Sequence, residues 1–414
     1  MTSGPAPSVR DALRPARSAI RLSPTELAYG LACGFGPLED GSADPVPRHQ
    51  QWQRRRGRSS ARSATDAVLR DALNKAPCLI SFSGGRDSSA LLAAATTIAR
   101  REGLPLPIPA TLVFPGDAET DEAQWQRMVI DHLGLPDWQR YTLTTELDVL
   151  GPFATTALSR HGLLWPFNTH MHMPIIADAA GGSVVTGFGG DELGRSSQGK
   201  RAAQVFARTR RPHPVDALVV GLALSPRPLR RRVIRHRMQP QVEALPWLTS
   251  LGVQSVLGAT VADEVAIPMG WPRTICEWIP RSRYFRICKA SFQILGDSYG
   301  VQVVHPFADE RVLEALAREA GFAGMGTRTQ LMRHLFGDVL PADLVQRQTK
   351  AGFNGVLFTD ISRDFAASWS GHGVPEELVD PQRLRRHWLD GPVDAKTFTM
   401  LQAAWLHDNP SGRR

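Results

Sequence analysis

The chain predicts an α/β fold: a doubly wound, mainly parallel sheet followed by a mainly helical C-terminal lobe. Three observations carry this. The apolar run at 78–82 breaks into Ser83-Gly84-Gly85-Arg86-Asp87-Ser88-Ser89 and then Ala90-Leu91-Leu92, the pattern of a buried strand, a tight glycine turn and the start of a helix. Further β-rich runs recur downstream at helix-length spacing, which argues for βαβ units. One of them, Ser183-Val184-Val185-Thr186, ends in a second glycine-rich turn, Gly187-Phe188-Gly189-Gly190-Asp191-Glu192.

The elements follow in order. Residues 1–62 are rich in Pro, Gly, Ser and Arg and read as a loosely ordered arm with one short helix near 23–32. A helix begins near Ala64-Thr65, with Val68, Leu69 and Leu73 on one face. The strand at 78–83 leads into a helix at 88–101, apolar for most of its length as a cover for a parallel sheet. A second strand, 111–114, is ended by Pro115-Gly116, and its Val113 sits where a strand end flanks a ligand. Thr120-Asp121-Glu122 opens a helix running to Leu133-Gly134. A third strand is expected at 140–143, helices near 148–160 and 173–180, and the fourth strand at 183–186. Beyond about 195 the strand signal fades, and helices are expected near 214–223, 242–257, 283–299, 309–320 and 327–336. The chain thus divides into an arm (1–62), a ligand-binding core (63–195) and a helical lobe (196–414).

Composition excludes several classes. Hydrophobic content of 42% and charged content of 21% over 414 residues are ordinary for a soluble globular chain. No apolar run approaches the roughly 18 residues of a membrane span, and residues 1–15 lack the apolar core of a secretory signal. Cys33, Cys78, Cys276 and Cys288 form no Cys-x-x-Cys pair, which speaks against zinc or a disulfide framework and for the reducing cytosol. The net charge of +8 is almost all arginine, clustered at 54–58 and 208–237. Few aromatic residues interleave these runs, so they read as solvated faces rather than a nucleic-acid surface.

The first glycine turn is suited to an anion. Glycines let backbone N–H groups approach an oxyanion, Ser83, Ser88 and Ser89 add hydroxyl donors, and the helix N-terminus adds partial positive charge. The spacing matches neither Gly-x-x-x-x-Gly-Lys-Ser/Thr nor Gly-x-Gly-x-x-Gly. In a doubly wound sheet ligands bind beyond the carboxyl ends of the strands. Both glycine turns are therefore expected to open on one edge, placing Asp87 and Asp191 together. Two carboxylates beside phosphates suit Mg²⁺.

Ser-Gly-Gly-x-Asp-Ser-Ser resembles the pyrophosphate loop of ATP pyrophosphatases. With Thr186-Gly187-Phe188-Gly189-Gly190-Asp191-Glu192 it resembles the synthetase domain of the asparagine synthetase family. Pro306-Phe307-Ala308-Asp309 is similar to that family's Pro-Phe-Leu-Asp turn, and Leu340-Pro341 with Arg347 to Phe353 to its Leu-Pro … Arg-x-x-Lys-x-Gly-Phe stretch. The landmarks cover roughly 64–360. The resemblance implies an adenine nucleotide α-hydrolase-like core in which Ser83, Gly84, Gly85, Asp87, Ser88, Ser89, Val113 and Gly187 hold ATP. Asp87 and Asp191 would hold Mg²⁺, and Lys350 would neutralise the departing pyrophosphate. It implies that a carboxylate attacks the α-phosphorus, giving an acyl-adenylate and pyrophosphate, and that an amine then displaces AMP.

The departures narrow the expectation. Position 2 is Thr2 rather than the nucleophilic cysteine of glutamine-using members, and about 60 residues before the sheet are too few for a glutaminase domain. Phe188 stands where asparagine-forming members carry glutamate and β-lactam-forming relatives tyrosine, and phenylalanine accepts no proton. Phe188 thus marks the acyl site, with a base supplied elsewhere. The expected reaction joins an amine to the carboxylate of a specialised metabolite or peptide, as in β-lactam synthetases and lasso-peptide cyclases. A precursor peptide or partner protein is an expected associate. The competing readings are a tRNA-modifying pyrophosphatase, an ammonia-dependent asparagine synthetase and a non-catalytic relative. His170 and His172, at i, i+2 spacing, read as structural.

Overall fold

The structure, a computed structural model, describes residues 20–36, 38, 59–115, 122–194, 198–207, 213–347 and 354–410. Five strands form one all-parallel sheet: β1 (Cys78–Ser81), β2 (Ile108–Val113), β3 (Gln139–Thr142), β4 (Ser183–Val185) and β5 (Gln302–Val304). Their order is β3-β2-β1-β4-β5. The chain starts at the centre, winds outward through β2 and β3, then crosses back to β4 on the other side of β1. Leu79 pairs with Ile108 on one side and Val184 on the other. The winding reverses between β1 and β4, which is where such sheets bind ligands.

Strand alternation assigns the faces. Ile80 and Phe82 pack with helices Ala61–Leu73, Arg86–Glu102 and Ala123–Leu133. Leu79 and Val184 point the other way, against Ile175 and Ile176 of Met173–Asp178 and Phe292 and Leu295 of Arg283–Tyr299. Both faces are covered, which is why β1 and β4 read as continuous apolar runs. A second core around Trp247, Trp369 and Trp388 joins helices beyond residue 196 to Ala28, Phe114, Leu143, Leu147 and Leu158.

Three expectations are corrected. The strands do not end by residue 195: β5 comes from the span read as helical, and at three residues between Gly300 and His305 it is too short to show a period. The helix expected at 242–257 is two elements, the end of Arg227–Glu243 and the start of Ser250–Ala266. Pro246 interrupts the run, and Thr249 caps the second helix by accepting from Gly252 N–H at 3.0 Å. Residues 20–36, within the arm read as loose, are docked. Ser23 and Glu26 form a capping box on helix Pro24–Tyr29, and buried Glu26 pairs with Arg283 at 2.7 Å. The Trp165 and Trp247 indole N–H groups donate to Gly30 and Ala28 carbonyls. The arginine cluster at 54–58 lies outside the described residues.

Candidate active site

Beyond β1 the chain turns at Gly84, whose φ of +83° favours glycine, and enters helix Arg86–Glu102. Gly85 caps that helix with no side-chain hydrogen bond, leaving its first N–H groups open to an anion. The loop carbonyls are tied back: Gln126 donates to Ser83 O at 3.2 Å and Arg347 to Gly84 O at 3.0 Å. Arg347 is buried, pairs with Glu122, and lies 4.7 Å from the Trp125 ring centroid. Holding the carbonyls on that side turns the amide edge toward the cavity. Ser83 and Ser88 hydroxyls lie 3.2 Å apart at its floor.

The second glycine turn leaves β4 and packs directly on the first. A Cβ at Gly190 would stand 2.5 Å from Asp87 Oδ2, and one at Gly187 would stand 3.3 Å from Asp87 Cβ. Small residues here are what let the two turns meet. Asp87 and Asp191 are drawn together by Arg328, the first residue of helix Arg328–Phe336, whose two terminal nitrogens take one carboxylate each. Burial pushes the Asp87 carboxyl up, against the pull of Arg328.

The two turns open on a cavity of about 740 Å³. Ser83, Gly85, Asp87, Ser88, Gly187, Phe188 and Asp191 line it, together with Arg86, Arg328 and Arg347. The three guanidiniums stand at the loop. The lining also carries Trp165, Phe167, Met171, Ile175, Phe188 and Phe292, with the polar Asn168 and His172 among them. Phe188 lies 4.9 Å from Phe285 and 5.3 Å from the His305 ring. Gly30 and Leu31 of the N-terminal segment also reach the cavity, a contribution no local pattern announces. Tyr284 lines both this cavity and a second one of about 240 Å³ that contains Glu192, and its hydroxyl donates to Glu192.

Several other residues near the motifs lie off the cavity wall. Ser89 is fully buried inside its helix, and its side chain is not on the cavity wall. Val113 likewise is not on the wall: Leu112 and Phe114 line it instead, because alternate strand residues face opposite sides. Lys350 lies outside the described residues. Glu277 pairs with Arg273 at 3.5 Å and lines neither cavity, and Asp309 caps helix Glu310–Ala320 by accepting from Arg311 N–H at 2.9 Å. His170 spends both ring nitrogens on the carbonyls of Phe167 and Leu147. Arg86 donates to Thr329 at 3.2 Å.

Mg²⁺ fits what is present. Asp87 Oδ1 is buried without a hydrogen-bond partner among the described residues, and Asp87 and Asp191 offer the hard oxygens this ion takes. No group of three or more potential ligands occurs among the described residues. Two carboxylates completed by phosphate and water oxygens match the way Mg²⁺ is usually bound beside nucleotides.

Burial holds three imidazoles neutral: His161 and His172 are lowered to about 4 and His305 to about 3. Unfolded, each titrates near 6.5. The unfolded chain therefore binds more protons below that value, and stability present above about pH 6.5 is lost as pH falls toward 4. The expected loss is about 1.4 kcal/mol per imidazole per pH unit. Melting curves between about pH 7 and pH 5 check this, with His172→Gln expected to flatten the slope.

The family model described as asparagine synthase matches residues 61–407. No curated protein matches the chain.

Proposed function

The chain belongs to the asparagine synthase family, whose members are ATP-using amide-forming ligases, and from that premise we propose that it is an AMP-forming carbon–nitrogen ligase. It activates a carboxylate as an acyl-adenylate, releases pyrophosphate, and joins the acyl group to an amine. The observation that carries this is the meeting of two glycine turns over one cavity, with Asp87 and Asp191 side by side. In the mechanism, the uncapped N–H groups of helix Arg86–Glu102 and the Ser83 and Ser88 hydroxyls receive the phosphates. Asp87 and Asp191 would hold Mg²⁺, which would supply charge neutralisation at the phosphate oxygens. Arg86, Arg328 and Lys350 add positive charge for the departing pyrophosphate.

The acyl end suits a substrate other than free aspartate. The cavity lining is rich in aromatic and aliphatic side chains, Trp165, Phe167, Met171, Ile175, Phe188 and Phe292, and the guanidiniums of Arg328 and Arg347 are engaged at the glycine turns. A specialised metabolite or a peptide carboxylate fits this wall, including the chain end or side chain of a precursor peptide in a lasso-type macrocyclisation. The four cysteines are free, as suits the cytosol, and burial raises the Cys33 and Cys78 thiols to about 12 and about 11, away from the thiolate form. No helix among the described residues is long and apolar enough to cross a membrane.

The test is exchange of labelled pyrophosphate into ATP by the purified chain with Mg²⁺ and a panel of acids. Exchange with apolar carboxylates or peptides and none with aspartate is expected. Aspartate with ammonia as the preferred pair would make the chain an asparagine synthetase after all. Turnover only with tRNA would make it a nucleobase-adenylating enzyme.

A further inference from the structure

The cation between Asp87 and Asp191 is part of the chain. Arg328 stands at the first position of helix Arg328–Phe336, where the helix dipole disfavours positive charge. Its Nη2 takes Asp87 Oδ2 and its Nη1 takes Asp191 Oδ1, while Nε is buried without a partner among the described residues. The three groups come from three distant segments, and the helix Gly190–Gly194 is shaped around them: a Cβ at Gly194 would stand 3.1 Å from Arg328 Cδ. Nothing in the local chemistry of helix Arg328–Phe336 calls for a cation at that point. The two carboxylates do.

We propose that Arg328 is a resident counter-ion, occupying the place of the divalent cation until Mg²⁺ arrives with nucleotide, whereupon its guanidinium leaves the carboxylates and turns to the polyphosphate. This rests on the reading of Asp87 and Asp191 as the Mg²⁺ ligands. An ion held by both carboxylates would take over the charge that Arg328 now satisfies, and Asp87 Oδ1, without a hydrogen-bond partner among the described residues, is open to it. Electrostatically, two carboxylates without Arg328 would repel each other with one partly buried, and the guanidinium offsets one of their two charges. Once displaced it remains on the cavity wall beside the phosphate loop, where its forked donors suit phosphate oxygens. Mg²⁺ alone, without phosphate to receive the arginine, then gains little.

The test uses the full chain in chelator, in MgCl₂ alone, and in MgCl₂ with α,β-methylene-ATP, followed by thermal melting and calorimetric nucleotide binding. Wild-type protein is expected to be insensitive to MgCl₂ alone and stabilised by MgCl₂ with nucleotide. Arg328→Gln is expected to melt about 2–4 °C lower in chelator, to recover that loss in MgCl₂ alone, and to bind the Mg²⁺-nucleotide at least about tenfold more weakly. Arg328→Lys, which reaches one carboxylate but not both, is expected between the two and serves if Arg328→Gln fails to fold. If MgCl₂ alone stabilises wild type as much as the variant, or the variant binds nucleotide as tightly as wild type, the counter-ion role is wrong. Acid-dependent pyrophosphate exchange by wild type judges the ligase reading separately, so the two can fail independently.

Discussion

Asp191→Asn is expected to lower acid-dependent pyrophosphate exchange about 10³-fold, equivalent to about 4 kcal/mol of transition-state stabilisation, while leaving the melting temperature within a few degrees of wild type. The substitution changes charge at constant shape. Asparagine keeps the volume and one acceptor oxygen but removes the negative charge that a hard divalent cation requires. Asp191's side chain is about half exposed, so the fold asks little of it. Its contact with Arg328 is a surface-side ion pair of modest value. Activity and stability are therefore expected to separate. Exchange within a few-fold of wild type would remove Asp191 from the metal site, and a collapse of the melting temperature would make it a structural residue instead.

Gly190→Ala is expected to cost at least about 10²-fold in exchange and about 1–3 kcal/mol in stability. The new methyl would lie 2.5 Å from Asp87 Oδ2 and 2.6 Å from Asp87 Cγ, well inside contact distance. Asp87 Oδ2 yields only by disturbing its contact with the Arg328 guanidinium. Gly190 begins helix Gly190–Gly194 and has no positive φ, so the backbone itself tolerates alanine and the penalty isolates the steric clash. Gly221 is the control. It lies within helix Pro214–Leu224, and a methyl group there would meet open space. Gly221→Ala is expected to be neutral or stabilising by up to about 1 kcal/mol. Equal behaviour of the two variants would mean that the two glycine turns do not press on each other.

The parallel sheet and the location of its ligand edge were legible because the signals are local. Strand β1, its glycine turn and the apolar helix after it are contiguous, so residues 78–92 state their own geometry. The turn at 187–192 does the same for β4. Strand β5 was not legible, because three residues cannot express a period of two against a helical background. The error at 242–257 has a plainer cause: apolar residues on both sides of Pro246 read as one helix, although a proline and a capping threonine stand between them.

The candidate site divides the same way. Asp87, Ser83, Ser88, Gly187, Phe188 and Asp191, which line the cavity, were legible because a glycine turn between strand and helix has a recognisable local order. Gly30, Leu31, Arg328, Tyr284 and the aromatic wall were not, because each is brought in by packing from a segment whose own sequence is ordinary. Ser89 and Val113 show the opposite failure. Their types suit the site, but helix and strand geometry turn their side chains away from it.

By itself, then, the amino-acid order determined the fold class and the two glycine loops, since hydrogen-bonding pattern and glycine placement act over a few residues. Only the tertiary structure decided which loops meet, that an arginine some 240 positions from Asp87 stands between the acidic side chains, and which aromatic side chains line the cavity with them. Those are long-range consequences of burying both faces of one sheet, and no short window of sequence contains them.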